Sequence, residues 1–162
     1  MTLFKRVKKI EETKPYSIET PLQGTVIDIK DTKDQLFSSE ALGKGVGIIP
    51  SNNEIIAPIG GTISTFFPTK HAIGITTDQG VDVLIHVGID TVELNGKHFT
   101  PLKKQGDSIN RGDPLLLVDF KEIERAGYDT TVMVVVTNTA DYKNIKINTG
   151  NKEKGEIVIK LD

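Results

Sequence analysis

Cysteine is absent from this chain, and histidine occurs only three times in 162 residues. Without cysteine there is no disulfide framework and no zinc–thiolate site. An excess of charge of one sign is also missing. Lys and Arg number 20 against 22 Asp and Glu, a net charge of −2, so the basic footprint of a nucleic-acid binder is absent and no nucleic-acid partner is expected. No apolar run approaches the ~18–20 residues of a membrane-spanning helix. Nor does the N-terminus carry the apolar core and small-residue cleavage site of a secretory signal. The lack of cysteine suits the cytoplasm. What remains is 37% apolar and 26% charged, an ordinary globular composition, long enough for one domain with a real core.

The opening residues differ from the rest. In Met1 to Glu12, Leu3, Phe4, Val7 and Ile10 follow helical spacing, and Lys5, Arg6, Lys8 and Lys9 fill much of the remaining circumference. Pro15 discourages continuation of a helix. We set residues 1–15 apart as a basic amphipathic segment and 16–162 as the main domain. Such a helix can lie peripherally on the anionic inner face of a membrane. The alternatives are a frayed polar tail or a helix packed on its own domain. The initiating Met and this segment favour a free protein over a piece of a larger one.

From Tyr16 onward Gly and Pro punctuate short runs rich in Val, Ile and Thr, the residues that favour strands. The runs are 24–29, 45–49, 61–66, 73–77, 81–87, 114–118, 131–136 and 156–161. Helical pieces are expected only around Phe120–Arg125 and near Leu36–Leu42. Thr20-Pro21-Leu22-Gln23-Gly24-Thr25-Val26 is echoed by Ala57-Pro58-Ile59-Gly60-Gly61-Thr62-Ile63. Pro suits a strand entry because it cannot donate to a ladder. The Gly permits a bend or a close backbone approach. Such units resemble the β-sandwich of biotinyl and lipoyl carriers, here duplicated. The fold class is therefore all-β, an antiparallel β-sandwich of the duplicated barrel-sandwich hybrid kind with short helical turns.

His71 and His86 sit on two runs joined by Thr77-Asp78-Gln79-Gly80, which predicts an antiparallel hairpin. A four- or two-residue loop pairs Thr76 with Val81 and puts His71 opposite His86. A three-residue loop shifts the register by one and sends the imidazoles to opposite faces. We take the even register. Thr69, His71 and Ile73 then share a face with Leu84 and His86, and two imidazoles ~4.5–5.5 Å apart at Cβ can converge on one ligand, an anion or a metal. Gly88, lacking a side chain, would open the surface beside His86, and Asp90 follows close behind. His98, in a loop or strand edge, has no assigned role.

His86-Val87-Gly88-Ile89-Asp90-Thr91-Val92-Glu93-Leu94 resembles the active-site segment of the glucose-type IIA proteins of the bacterial phosphoenolpyruvate-dependent sugar phosphotransferase system. Thr69-Lys70-His71-Ala72 resembles the segment with their second histidine, and 57–63 and 106–119 are also similar. The resemblance spans 16–162. It implies a phosphohistidine relay: the phosphocarrier protein HPr donates to His86, and the IIB domain of a glucose-type sugar permease receives the group on a cysteine. It makes Nε2 of His86 the nucleophile, has His71 bond the phosphoryl oxygens, and has Thr69 orient His71. Asp34 and Asp90 would meet partner cations. Phe37, Leu42, Phe67, Ile73, Leu84 and Val92 would form an apolar docking surface, at least half of them partly exposed. Gln35 and Ala41 are less apolar than the family pattern. Regulated metabolic enzymes or transporters are further partners of such proteins. No cofactor is required for phosphotransfer, although a zinc ion can join His71 and His86 at a partner interface.

Two rivals stand beside this reading. His86-x-x-x-Asp90 resembles the spacing of zinc peptidases of a related fold, but their His-x-His motif is missing. A biotinyl or lipoyl carrier needs a modified lysine in a short motif, and none surrounds Lys70 or Lys104.

Overall fold

A computed structural model of the chain describes residues 16–162. The amphipathic segment 1–15 and its membrane contact lie outside the described residues. The strands in chain order are β1 (Tyr16–Glu19), β2 (Gly24–Asp28), β3 (Lys44–Pro50), β4 (Glu54–Ile56), β5 (Gly61–Phe66), β6 (Ala72–Thr76) and β7 (Asp82–Val87). They continue with β8 (Phe99–Pro101), β9 (Ser108–Ile109), β10 (Pro114–Val118), β11 (Val132–Val136), β12 (Ile145–Ile147), β13 (Gly150–Lys152) and β14 (Ile157–Leu161). The helices are α1 (Gln35–Ser38) and α2 (Phe120–Arg125), with 3-10 turns at Ile29–Asp31, Thr91–Leu94 and Thr139–Asp141. The antiparallel sandwich expected from the residue pattern is the observed fold. All eight expected runs are strands within a residue or two. The strands not foreseen are two to four residues long, too short to carry a period.

One sheet holds eight strands in the order β13-β2-β3-β11-β7-β6-β5-β9. Two three-stranded sheets, β1-β14-β12 and β4-β10-β8, accompany it. The sequence of β11, Val-Met-Val-Val-Val, is apolar throughout because the strand lies between β3 and β7 and is buried on both faces. Val132, Val134 and Val136 enter the main core with Val46, Ile48, Val83, Ile85 and Val87. Met133 and Val135 point the other way, into a smaller cluster with Ile29 and Phe37, against which Leu42, Leu84 and Ile89 pack. That second cluster is roofed by the 3-10 turn 29–31 and by α1. Asp34 caps α1, its Oδ1 accepting from the Leu36 and Phe37 N–H groups at 2.9 and 3.4 Å. The cap holds Phe37 down on the outer face of the large sheet.

The sequence echo is a structural one. Glu19 N–H donates to the Pro58 carbonyl at 3.0 Å and Ile56 N–H donates to the Pro21 carbonyl at 2.8 Å, so the two copies bind each other reciprocally. A Cβ on Gly24 would lie 2.2 Å from the Ile49 oxygen, and one on Gly61 would lie 2.4 Å from the Thr76 oxygen. Both glycines therefore serve close approach to the next strand.

Candidate active site

His86 lies on β7, where Asp82 to Val87 alternates between half-buried and buried residues. Val83, Ile85 and Val87 fill the main core. Leu84 and His86 take the outer face, opposite Val135 and Met133 on β11 and Gly74 and Ala72 on β6.

The hairpin register differs from the expectation. Thr76 pairs with Asp82, not Val81, and Ala72 rather than His71 lies opposite His86. The cause is an odd loop. Thr77 N–H donates to the Val81 carbonyl at 3.0 Å, and Asp78, Gln79 and Gly80 turn between them, with Gly80 at φ +89°. A turn ending on a left-handed glycine is the common three-residue hairpin. That loop was expected to part the imidazoles, yet the ring centroids are 4.9 Å apart at an interplanar angle of 85°. His71 escapes the alternation because it precedes the regular strand. Phe67 N–H donates to the Ala72 carbonyl and Lys70 N–H to the Phe67 carbonyl, closing a turn with Lys70 at φ +66°. The His71 carbonyl still accepts from Val87 N–H at 2.7 Å, while its ring turns back over His86.

Both rings are held by their Nδ1 atoms. His86 Nδ1 is 2.8 Å from the Gly88 carbonyl. A carbonyl only accepts, so Nδ1 carries the proton and Nε2 keeps its lone pair. His71 Nδ1 lies 2.8 Å from Thr69 Oγ1, and a hydroxyl can donate or accept. Phe37 contacts His86 at 5.0 Å between centroids, and Phe67 stands edge-on to His71 at 5.6 Å.

Burial sets the charge state. Burial first, and then the neighbouring His86, bring the His71 pKa from 6.5 down to about 4, against an opposing hydrogen bond to the Thr69 backbone. Burial also lowers His86, against the opposing pull of the Gly88 carbonyl and of the Asp34 and Asp90 carboxylates. A depressed imidazole pKa keeps the ring neutral, hence nucleophilic, at neutral pH.

The structure brings together Thr69, His71, His86 and Phe37, with Asp34 and Asp90 close enough to act on His86. Phe67 and Val92 are exposed and Leu42 and Leu84 half-buried, so four of the six expected docking residues are at least partly accessible. Two are corrected. Ile73 is fully buried opposite Ile85 in the main core, because the register shift carries it to the other face. Phe37 is 2% exposed and belongs to the small cluster, so it supports the His86 ring and offers little surface. Its neighbour Leu36, not foreseen, is 54% exposed. Gln35 and Ala41 are exposed as well. Gly88 does not open the surface. It is buried at φ +81°, and a Cβ there would sit 2.4 Å from Thr91 Cγ2. Its role is to turn its carbonyl onto His86, which the His-x-Gly spacing carried without declaring it. The left-handed Lys70 had no signal in the sequence.

Among the described residues, no group of three or more His, Cys, Asp or Glu is placed to hold a metal ion. A hydrolytic zinc site needs three protein ligands and an open position. The His71–His86 pair provides two, so the zinc-hydrolase alternative is not supported by the donor set. Also among the described residues, no helix is long and apolar enough to cross a membrane. Surface clefts occur elsewhere, one lined by Gln23, Thr25, Ser51 and Asn151 and another by Asn53, His98 and Asp119.

Residues 16–142 match the model of the phosphoenolpyruvate-dependent sugar phosphotransferase system EIIA 1 family. A glucose-specific EIIA component of Staphylococcus aureus (strain MSSA476) is 38% identical over 155 residues, 95% of this chain and 92% of that one. A beta-glucoside-specific EIIBCA component of Bacillus subtilis (strain 168) is 47% identical over 125 residues, 77% of this chain. The match spans only 20% of that longer protein. The glucose permease IIA of Mycoplasma capricolum superposes with a TM-score of 0.88 at 34% identity, covering 93% of this chain and 98% of that one. By family model, by a relative matched over nearly its whole length and by fold, the chain belongs to the EIIA 1 family of the phosphoenolpyruvate-dependent sugar phosphotransferase system.

Proposed function

We propose that Nε2 of His86 accepts a phosphoryl group from HPr and passes it to a cysteine on the IIB domain of a sugar permease. The observation that carries this is the Nδ1–H bond to the Gly88 carbonyl, which leaves a bare Nε2 beside a second imidazole. As the bond from Nε2 to phosphorus forms and the donor's bond breaks, positive charge spreads through the ring to Nδ1–H. The bond to Gly88 then becomes charge-assisted and strengthens as charge develops. No proton has to leave. The thiolate of the IIB cysteine later takes the phosphoryl group and returns His86 to its neutral form.

His71 acts from the side. With the Thr69 hydroxyl donating to its Nδ1, His71 carries its proton on Nε2 and offers an N–H to a phosphoryl oxygen. Asp34 and Asp90 favour a positive ring but repel the phosphoryl oxygens. They are therefore suited to a partner's arginine or lysine arriving with the complex. Leu36, Phe67 and Val92 supply exposed apolar surface for such partners, and Leu42 and Leu84 are half-buried and pack against the second cluster. A regulated enzyme or transporter could use the same face, and zinc bound there would take its remaining ligands from that partner. The relatives' names are glucose-specific and beta-glucoside-specific, so IIB domains of both kinds are the acceptors to compare.

Incubation with phosphoenolpyruvate, enzyme I and HPr should add one acid-labile, base-stable phosphate. His86→Ala should abolish it. His71→Ala should accept phosphate but deliver it poorly, and equal loss at both steps would refute the division of roles. The phosphocarrier domain is residues 16–162, and deletion of residues 1–12 should leave phosphorylation by HPr intact.

A further inference from the structure

Thr91 is a polar residue with no exposed surface, in the 3-10 turn that follows His86. Its hydroxyl donates to the Val87 carbonyl. Its side chain also defines the space around Gly88. Of the three atoms nearest to a Cβ built there, two belong to Thr91, Cγ2 at 2.4 Å and Oγ1 at 3.2 Å, and the third is the Asp129 oxygen at 3.1 Å. The Gly88 N–H is meanwhile tied to the Thr131 carbonyl at 2.9 Å. The Val87–Gly88 peptide is thus held on both sides, its N–H by the Thr131 carbonyl and its carbonyl by the Thr91 hydroxyl, while the next peptide, which carries the Gly88 carbonyl, is held through Ile89 N–H on the Asp129 carbonyl at 3.0 Å. What the grip leaves pointing at the site is the Gly88 carbonyl, 2.8 Å from His86 Nδ1.

We infer that Thr91 is a positioning residue that selects the reactive tautomer of His86. It touches no reacting atom. It holds the Val87–Gly88 backbone so that the Gly88 carbonyl requires a proton on Nδ1, which places the lone pair on Nε2. When the Val87–Gly88 peptide loosens, the Gly88 backbone turns and its carbonyl shifts off Nδ1, and no other acceptor in the hydrogen-bond pattern around His86 keeps the proton there. The ring then samples the tautomer in which Nε2 is protonated and cannot attack. The tautomer of a functional histidine is commonly set by what its other nitrogen bonds.

Thr91→Val keeps the shape and removes the hydroxyl, whereas Thr91→Ser keeps the hydroxyl and removes the methyl. Nitrogen-15 NMR of the imidazoles reads the tautomer directly and needs no phosphotransfer. This separates the inference from the proposal that His86 is the phosphoryl acceptor, which alone fails if the parent takes no phosphate. In Thr91→Val the Nε2–H fraction of His86 should rise, and the rate of phosphorylation by phospho-HPr should fall about ten-fold, as when a residue orienting a functional imidazole is lost. Thr91→Ser should keep the parent tautomer and most of the rate. A Thr91→Val protein with the parent tautomer would overturn the inference, whatever its rate. Equal changes in both variants would overturn it too, since shape and not the hydroxyl would then be responsible. If Thr91→Val does not fold, the tautomer in Thr91→Ser decides: an altered tautomer there refutes the hydroxyl's role.

Discussion

Acid should destabilise this protein through His71, and the size of the effect follows from its burial. The folded state holds the His71 pKa at about 4, against 6.5 for an ordinary imidazole. Well above pH 6.5 the ring is neutral in both folded and unfolded chains and contributes no pH dependence. As pH falls through 6.5 the unfolded chain takes up the proton first, and stability is lost until the folded state protonates near pH 4. At ~1.4 kcal/mol per pKa step of one, the full loss is about 3 kcal/mol, of which about 2 kcal/mol has gone by pH 5. The ring is 4% exposed, so little solvent screening is expected within the fold. The assay is urea denaturation from pH 7.5 to 4.5, comparing the parent with His71→Gln, which fills similar space and does not titrate. The parent curve should fall more steeply by about 2 kcal/mol at pH 5. Proton NMR of the imidazole gives the His71 titration independently. Parallel stability curves, or a His71 pKa near 6.5, would refute the claim that burial governs this site.

Gly88→Ala should destabilise by about 2–4 kcal/mol, combining a left-handed backbone with a collision against Thr91; a urea midpoint unchanged from the parent would contradict the geometry. Truncating the buried Phe37 to Ala should cost about 3–5 kcal/mol. It should also raise the His86 pKa toward 6.5 by letting water reach the ring, which an NMR titration would read. Phe67→Ser and Val92→Ser should change stability by less than about 0.5 kcal/mol, since both side chains are exposed. The same two changes should weaken binding to HPr and IIB, and unaltered affinity for both would remove these residues from the docking surface.

The fold was legible wherever a run of residues carried its own period. The stretches 81–87 and 131–136 declared strands, and the structure shows the first half-buried and the second covered on both faces. Asp119 caps α2 through its side chain, accepting from Glu122 N–H at 3.3 Å, and the helix ends before Gly127 as the sequence indicated. The docking residues were legible only in part. Being apolar does not say to which face a side chain points, and a one-residue register error moved Ile73 from the supposed surface into the core. Phe37 was placed at the site but not at its depth, because the cover provided by turn 29–31 and α1 comes from a remote part of the chain.

The chain's own order of residues determined that it is an antiparallel β protein with a repeated Pro–Gly unit, and that His71 and His86 flank a hairpin. These are local properties, set by the two-residue period of strands and by turn chemistry. Tertiary structure alone decided how the two imidazoles meet. The odd loop should have parted them, and a left-handed backbone at Lys70 reunites them. It also decided that the Gly88 carbonyl holds the proton on Nδ1 of His86, and that burial keeps both rings neutral. Those outcomes depend on backbone angles and on groups supplied by strands distant in sequence, and no pattern along the chain records them.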